Sequence, residues 1–208
     1  MKKEKIAIFL NSPSFNSNHS DLNLGFEYIV AVDGGIKHTL NRNFEIDLHL
    51  GDMDSSPKNI GKVKKREVFP VDKDFSDFYL ALERVKRGSD IYIFGAIGGR
   101  VDHFLSNYDT AISFTNKFNF IKFCGNNEDM IFTSKSIDLN IDVGKTISIF
   151  SGSDKLTNLS LKGFKYEVED VELLRSFPLG LSNVVKSESQ EIKFESGVSV
   201  VVVNNRSV

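Results

Sequence analysis

Aspartates placed where apolar runs stop are the residues best suited to chemistry in this chain. Leu48-His49-Leu50-Gly51-Asp52-Met53-Asp54-Ser55-Ser56 runs from an apolar stretch into two acids spaced i, i+2. On an extended backbone those two side chains point to the same side. Two converging carboxylates repel unless a cation lies between them, and Mg²⁺ suits hard oxygen ligands while keeping sites for phosphate oxygens. Asp-x-Asp also occurs in surface loops, so the pair alone does not decide. Three further clusters repeat the pattern. Ala31-Val32-Asp33-Gly34-Gly35 ends another run, and its glycines let a ligand approach the backbone closely. Pro70-Val71-Asp72-Lys73-Asp74-Phe75-Ser76-Asp77 precedes a helical pattern. Asp74 or Ser76 would serve there as an N-cap, with Asp77 favourable in the first turn. Capping does not require all of those acids and the lysine. Gly95-Ala96-Ile97-Gly98-Gly99-Arg100-Val101-Asp102-His103 joins a run to a helix, and Arg100 offers a planar fork for phosphate oxygens. Asp102 also fits a helix cap, and His103 a surface histidine. Taken together, the clusters describe a site for a polyphosphate and a metal.

These clusters need a scaffold that brings strand ends together. Short apolar runs cover Lys5–Asn11, Tyr28–Val32, Asp47–Leu50, Arg66–Phe69, Asp90–Phe94 and Phe120–Cys124. Helical spacing appears over Ser76–Arg87 and Val101–Phe118. Strand-helix alternation predicts an α/β N-terminal domain with a mostly parallel sheet, whose ligands sit outside the carboxyl ends of the strands. After about residue 126 the rhythm changes. Ser136–Val143, Thr146–Phe150, Asn158–Leu161, Glu191–Phe194 and Val198–Val203 are short and broken by glycines. This predicts an all-β C-terminal sandwich or partly open barrel. The expected division is 1–126 and 127–208. Val168–Arg175 is expected to form a helical turn or two, and Ser182–Ser189 a mobile loop.

Composition narrows the function classes. The net charge of −2 lacks the basic surplus of a phosphate-tracking protein, so no nucleic-acid partner is expected. Ile6–Leu10 is too short for a signal peptide, and no run approaches a membrane span. The lone Cys124 fits an intracellular setting, and the expected location is cytoplasmic.

The ordered series Asp33-Gly34-Gly35, Gly51-Asp52-Met53-Asp54-Ser55, Lys73-Asp74-Phe75-Ser76-Asp77 and Gly98-Gly99-Arg100-Val101-Asp102-His103, then Asn107, resembles the thiamine pyrophosphokinase family. Leu159-Ser160-Leu161-Lys162-Gly163-Phe164-Lys165-Tyr166 and Gly180-Leu181-Ser182-Asn183 extend the resemblance over nearly the whole chain. It implies a Rossmann-like first domain, a β-sandwich second domain, and a homodimer with thiamine near the subunit interface. It implies transfer of the diphosphoryl group of ATP to thiamine with Mg²⁺, by attack on the β-phosphorus with AMP leaving. By similarity, Asp52, Asp54 and Asp77 hold the metal, and Asp74, Arg100 and Asp102 join them as catalytic groups. Asp33, Gly34, Gly35, Lys73, Ser76, Gly99, Arg100 and Asn107 contact the nucleotide. Asp102, Ser182 and Asn183 contact thiamine.

The chain departs from the family at Ser12, where Gly is usual, at Val184, where Glu is usual, and in having no Trp to stack on thiamine. Most of these departures lie around the acceptor. The alternatives are therefore a diphosphokinase for a related alcohol, or a non-catalytic thiamine- or nucleotide-binding module. Asp52-Met53-Asp54-Ser55 also resembles the aspartyl nucleophile motif of haloacid-dehalogenase-type phosphatases. That motif is expected near the chain start, and it leaves Gly98–His103 unexplained.

Overall fold

The computed structural model describes residues 3–42, 44–57 and 60–205. In chain order the regular elements are β1 (Lys5–Phe9), β2 (Tyr28–Val32), β3 (Ile46–Gly51), β4 (Val63–Val68), α1 (Asp77–Arg84), β5 (Asp90–Phe94), α2 (Val101–Phe114) and β6 (Phe120–Cys124). Then follow β7 (Glu128–Thr133), β8 (Ile137–Leu139), β9 (Thr146–Ser151), β10 (Lys155–Lys162), β11 (Val168–Leu174), β12 (Asn183–Val184), β13 (Gln190–Lys193) and β14 (Ser199–Asn204).

One mixed ten-stranded sheet has the order β12-β9-β14-β7-β6-β5-β1-β2-β3-β4, and a four-stranded sheet has the order β11-β10-β13-β8. Strands β4 to β6 of the large sheet are parallel. The chain begins at β1, walks outward through β2, β3 and β4, then returns through α1 to place β5 on the other side of β1. The direction of winding therefore reverses between β1 and β5. Such a reversal opens a crevice at the carboxyl ends of the two strands.

Alternation along these strands serves two faces. Ile6, Ile8, Val30, Leu48, Ile91 and Ile93 pack under α1 and α2, against Phe78, Leu82 and Phe114. Ala7, Phe9, Ile29, Ala31 and Phe94 face the other way, towards Leu22 and Ile36. Burying each large side chain contributes about 1.5–3 kcal/mol. Ser76 caps α1, its Oγ accepting from Tyr79 N at 3.2 Å. Among the described residues, only the β4–β5 and β5–β6 connections carry α-helices. The links β1–β2 and β2–β3 contain short 3₁₀ turns, at Ser20–Asn23, Asp33–His38 and Leu40–Arg42. The segment between β1 and β2 is rich in Ser and Asn, whose side chains compete with helix for the backbone.

The second half corrects two expectations, at Val168–Arg175 and at Ser182–Ser189. β7 follows β6 directly and pairs with it antiparallel, Cys124 opposite Asp129. The large sheet thus runs unbroken past residue 126, and its antiparallel end forms one layer of the sandwich. Ile147, Ile149 and Val201 of that layer pack against Leu156, Leu159, Leu161 and Ile192 of the small sheet. Val168–Leu174 is a strand and not a helical turn, because pairing with β10 satisfies its backbone. Ser182–Ser189 contains β12 and the fully buried Val185, so it is anchored.

A buried polar network lies where the parallel and antiparallel parts of the large sheet join. Lys122 Nζ is 2.6 Å from Asp21 Oδ2 and 2.9 Å from Asp129 Oδ2. His19 Nε2 donates to Asp129 Oδ1 at 2.9 Å, and its Nδ1 accepts from Asp21 N. Burial alone would raise the Asp129 carboxyl. The His19 hydrogen bond and the Lys122 charge outweigh it and hold Asp129 down to about 2. His19, Asp21 and Cys124 could also offer metal ligands within 4.8 Å of one another, but the Lys122 ammonium already supplies the cation there. Among the described residues, no helix is long and apolar enough to cross a membrane.

Candidate active site

A cavity of about 800 Å³ opens at the carboxyl ends of β1, β2 and β5 and the start of α2. Asp33, Ser76, Asp77, Gly99, Arg100 and Asp102 all line it. Asn107 lines it too, and its Nδ2 reaches Ala96 O at 3.5 Å.

Asp33 ends β2 in a left-handed conformation, φ 46°. Its Oδ1 accepts from Met53 N at 3.3 Å. Its carbonyl lies 3.0 Å from Nε2 of His49, which is fully buried. Burial and the charges of Asp77 and Asp52 push the Asp33 carboxyl up to about 6, although backbone N–H groups of Met53 and Asp52 pull it down. The Asp33 carboxyl therefore lies within electrostatic reach of both Asp77 and Asp52.

Asp77 takes the first turn of α1. Its Oδ1 is buried, 3.1 Å from Lys73 Nζ, and accepts no aligned hydrogen bond. Lys73 Nζ also donates to Pro70 O at 3.0 Å. A buried carboxylate oxygen without a hydrogen-bonded partner, beside two more acids, is a donor set that suits a hard divalent cation.

The β3 loop differs from the expected extended pair. Met53 adopts φ 68°, so the alternation that would align Asp52 with Asp54 is broken. Asp52 Oδ1 instead accepts from Asp54 N at 3.0 Å. Asp54 is exposed, and its carboxylate has no hydrogen-bonded or ionic partner among the described residues. Asp74 is likewise exposed and does not line the cavity.

Glycines admit these side chains. A β-carbon on Gly34 would stand 2.8 Å from Ser55 Oγ, the atom that accepts from Gly34 N at 2.9 Å. One on Gly35 would stand 2.1 Å from Phe9 O. Both glycines are buried beneath the cavity floor rather than lining it. Gly98, with φ 94°, packs against Ser14. Ser12 is buried beside Gly95, where the departure from the family pattern lies. At the rim, Arg100 Nη2 meets Asp102 Oδ2 at 2.5 Å. That hydrogen bond holds the Asp102 carboxyl below its usual range.

Ser182 and Asn183 stand apart from this cavity within one chain. Ser182 is exposed at φ 57°, with its N–H on Ser148 Oγ. The Asn183 amide is buried and occupied: Oδ1 accepts from Tyr166 N at 3.0 Å, and Nδ2 donates to Tyr166 O at 2.8 Å. It thereby holds out Tyr166, whose side chain is exposed with Lys165 Nζ 4.9 Å above the ring. Sequence reasoning missed His49 and Ser55 as parts of the site. The available signal for His49 was an ionisable residue inside the apolar run Leu48-His49-Leu50.

Comparison with known proteins agrees with this arrangement. The family model described as "Thiamin pyrophosphokinase, catalytic domain" matches residues 20–123. The one described as "Thiamin pyrophosphokinase, vitamin B1 binding domain" matches residues 134–199. The chain is 27% identical to the thiamine pyrophosphokinase of Bacillus subtilis over 184 residues, 83% of this chain and 85% of that protein. It is 27% identical to thiamin pyrophosphokinase 1 of Caenorhabditis elegans, over 93% of this chain and 86% of that one. The crystal structure of the Bacillus subtilis protein shares the fold, with a TM-score of 0.82 at 22% identity over 98% of this chain and 100% of that one. The thiamin pyrophosphokinase from Candida albicans does so with a TM-score of 0.78 at 15% identity, over 98% and 90%. The chain belongs to the thiamin pyrophosphokinase family.

Proposed function

We propose that this chain transfers the diphosphoryl group of ATP to the hydroxyl of thiamine, giving thiamine diphosphate and AMP. The observation that carries the reading is that Asp33 and Asp77, with the Asp52 charge acting on Asp33, line a cavity whose other wall is Gly98-Gly99-Arg100. Acids for a metal and a glycine-rich, cationic wall for phosphates are what a polyphosphate substrate requires. The parallel half of the sheet acts as a Rossmann-like platform, with the nucleotide in the crevice between β1 and β5.

Asp52 and Asp77, with Asp54 turning in from the rim, would hold Mg²⁺. When bound, the metal supplies neutralisation of phosphate charge and polarisation of the phosphoryl oxygens. Asp33 supports this set from behind. Lys73 orients Asp77, and Ser76 fixes the helix on which Asp77 sits. Arg100, swinging from Asp102 to the phosphates, offsets the negative charge that builds as AMP leaves. Asp102 is then free to accept the proton of the attacking hydroxyl and to face the cationic thiazolium. Fixed placement of the hydroxyl in line with the β-phosphorus is the chain's largest contribution.

The thiamine contacts come from the β-sandwich. Tyr166 offers the aromatic face for a cationic ring, held by the Asn183 amide beside Ser182. Phe177, Leu179 and Leu181 run exposed into Ser182. Covering that apolar edge with a second copy makes a homodimer and brings Tyr166 towards a cavity. The cytoplasm suits the single buried Cys124.

The test is incubation with ATP, Mg²⁺ and thiamine, followed by chromatography. Thiamine diphosphate and AMP in equal amounts, only with Mg²⁺, are expected. Thiamine monophosphate with ADP would overturn the β-phosphorus mechanism. Binding of both ligands without turnover would leave a non-catalytic module.

A further inference from the structure

His49 sits in the middle of β3 with no solvent exposure. A polar ring is costly in such a place unless it is hydrogen-bonded. Its Nε2 lies 3.0 Å from the Asp33 carbonyl and 3.3 Å from Ser56 Oγ. A carbonyl only accepts, so Nε2 carries the proton and donates it to Asp33, with Ser56 as the longer second acceptor. Nδ1 is then the unprotonated nitrogen, and it is buried without a partner. Protonating it would bury an unsatisfied N–H, so the ring stays neutral. Burial lowers its basicity in the same sense, outweighing the Asp33 hydrogen bond.

The two loops that His49 touches carry Asp33 and Asp52. Asp33 must hold φ 46°, which costs about 1 kcal/mol or more for a residue with a β-carbon. Met53 and Ser55 already tie the loops together through Asp33 Oδ1 and Gly34 N. His49 adds a bond from below to the carbonyl of the strained residue itself.

We propose that His49 is a positioning residue: its Nε2–H locks the Asp33 turn against the Asp52–Ser56 loop, so that Asp33, Asp52 and Asp77 converge on the Mg²⁺·nucleotide. The assignment rests on the proposed function for the identity of the nucleotide.

The test compares wild type, His49→Met and His49→Gln. Met fills the space without a donor, and Gln replaces Nε2–H with an amide N–H. Calorimetric titration with a Mg²⁺-loaded, non-hydrolysable ATP analogue reads the site without an acceptor. His49→Met is expected to keep a cooperative melt but bind at least about tenfold more weakly, the scale of one hydrogen bond to a strained turn. His49→Gln is expected to recover most of that loss. Wild-type-like binding by His49→Met overturns the proposal. If that variant does not fold, long-range ¹H–¹⁵N spectra of the wild-type imidazole decide. An Nε2–H tautomer supports the assignment, and an Nδ1–H tautomer sinks it. Wild type that binds the nucleotide but makes no thiamine diphosphate would overturn the reaction while leaving His49 tested.

Discussion

Asp33 fills the space that a side chain on residue 51 would need: a β-carbon added to Gly51 would stand 1.7 Å from Asp33 Oδ1. Gly51 also has φ 136°, a conformation open to little but glycine. The residue before the Asp-x-Asp loop is thus glycine because a carboxylate from the neighbouring strand occupies its side-chain volume. Gly51→Ala is expected to displace Asp33, lose about 2 kcal/mol of stability and abolish nucleotide binding. Thermal melts with and without Mg²⁺·ATP check it. A variant that the nucleotide still stabilises as it does wild type would contradict the packing argument.

The metal-free protein should lose stability as pH rises from 5 to 7.5. The folded Asp33 carboxyl sits at about 6, above its ordinary value, so the folded state holds its proton more tightly than the unfolded chain does. That advantage is complete below the unfolded value and is lost as pH passes through about 6. Mg²⁺ should restore stability at pH 7.5 and do less at pH 5, where Asp33 carries a proton. A melting temperature independent of Mg²⁺ at both values would rule out cation binding by this cluster.

Asp54→Asn separates chemistry from folding. The Asp54 carboxylate is exposed and has no hydrogen-bonded or ionic partner among the described residues, so its loss should leave the melting temperature within error. Turnover should nevertheless fall by about two orders of magnitude or more if it completes the metal set. Unchanged kinetics would remove Asp54 from the site and leave Asp33, Asp52 and Asp77.

Lys122→Met should destabilise the protein by about 3 kcal/mol, because it leaves Asp21 and Asp129 buried without their cation. Denaturant unfolding measures this directly. A neutral outcome would mean that water reaches the two acids.

Tyr166→Ala should raise the KM for thiamine about tenfold and change the KM for ATP little, since stacking a cationic ring is worth about 1–2 kcal/mol. Tyr166→Phe should retain most of the affinity. Equal effects on both substrates would point to disruption of the Asn183 contacts instead.

The acid clusters and their place at strand ends were legible in the sequence, because the strand-to-loop change is local: apolar runs stop where Asp and Gly begin. β2, β5 and β6 were bounded as found, since each is a short apolar run between polar ends. β7 and β11 were not. β7 sat on the expected boundary, and β11 shows charged residues on the surface that pairing with β10 leaves in solvent. Asp33 was placed among the nucleotide contacts only by the family resemblance, because Asp-Gly by itself is mainly a turn signal.

By itself the sequence determined the family, through the resemblance of its motifs, and the residue types of those motifs and their order along the chain, which are local features. Tertiary structure alone decided which acids meet. Met53 turns left-handed and breaks the Asp52–Asp54 alignment, while the reversal of winding at β1 opens the crevice that Asp33 and Asp77 share. It also made His49 a buried donor, placed Lys122 between two acids, and engaged Asn183 with the Tyr166 backbone. Each of these depends on contacts between residues far apart in the chain, whose distances and burial are set only when the strands pair.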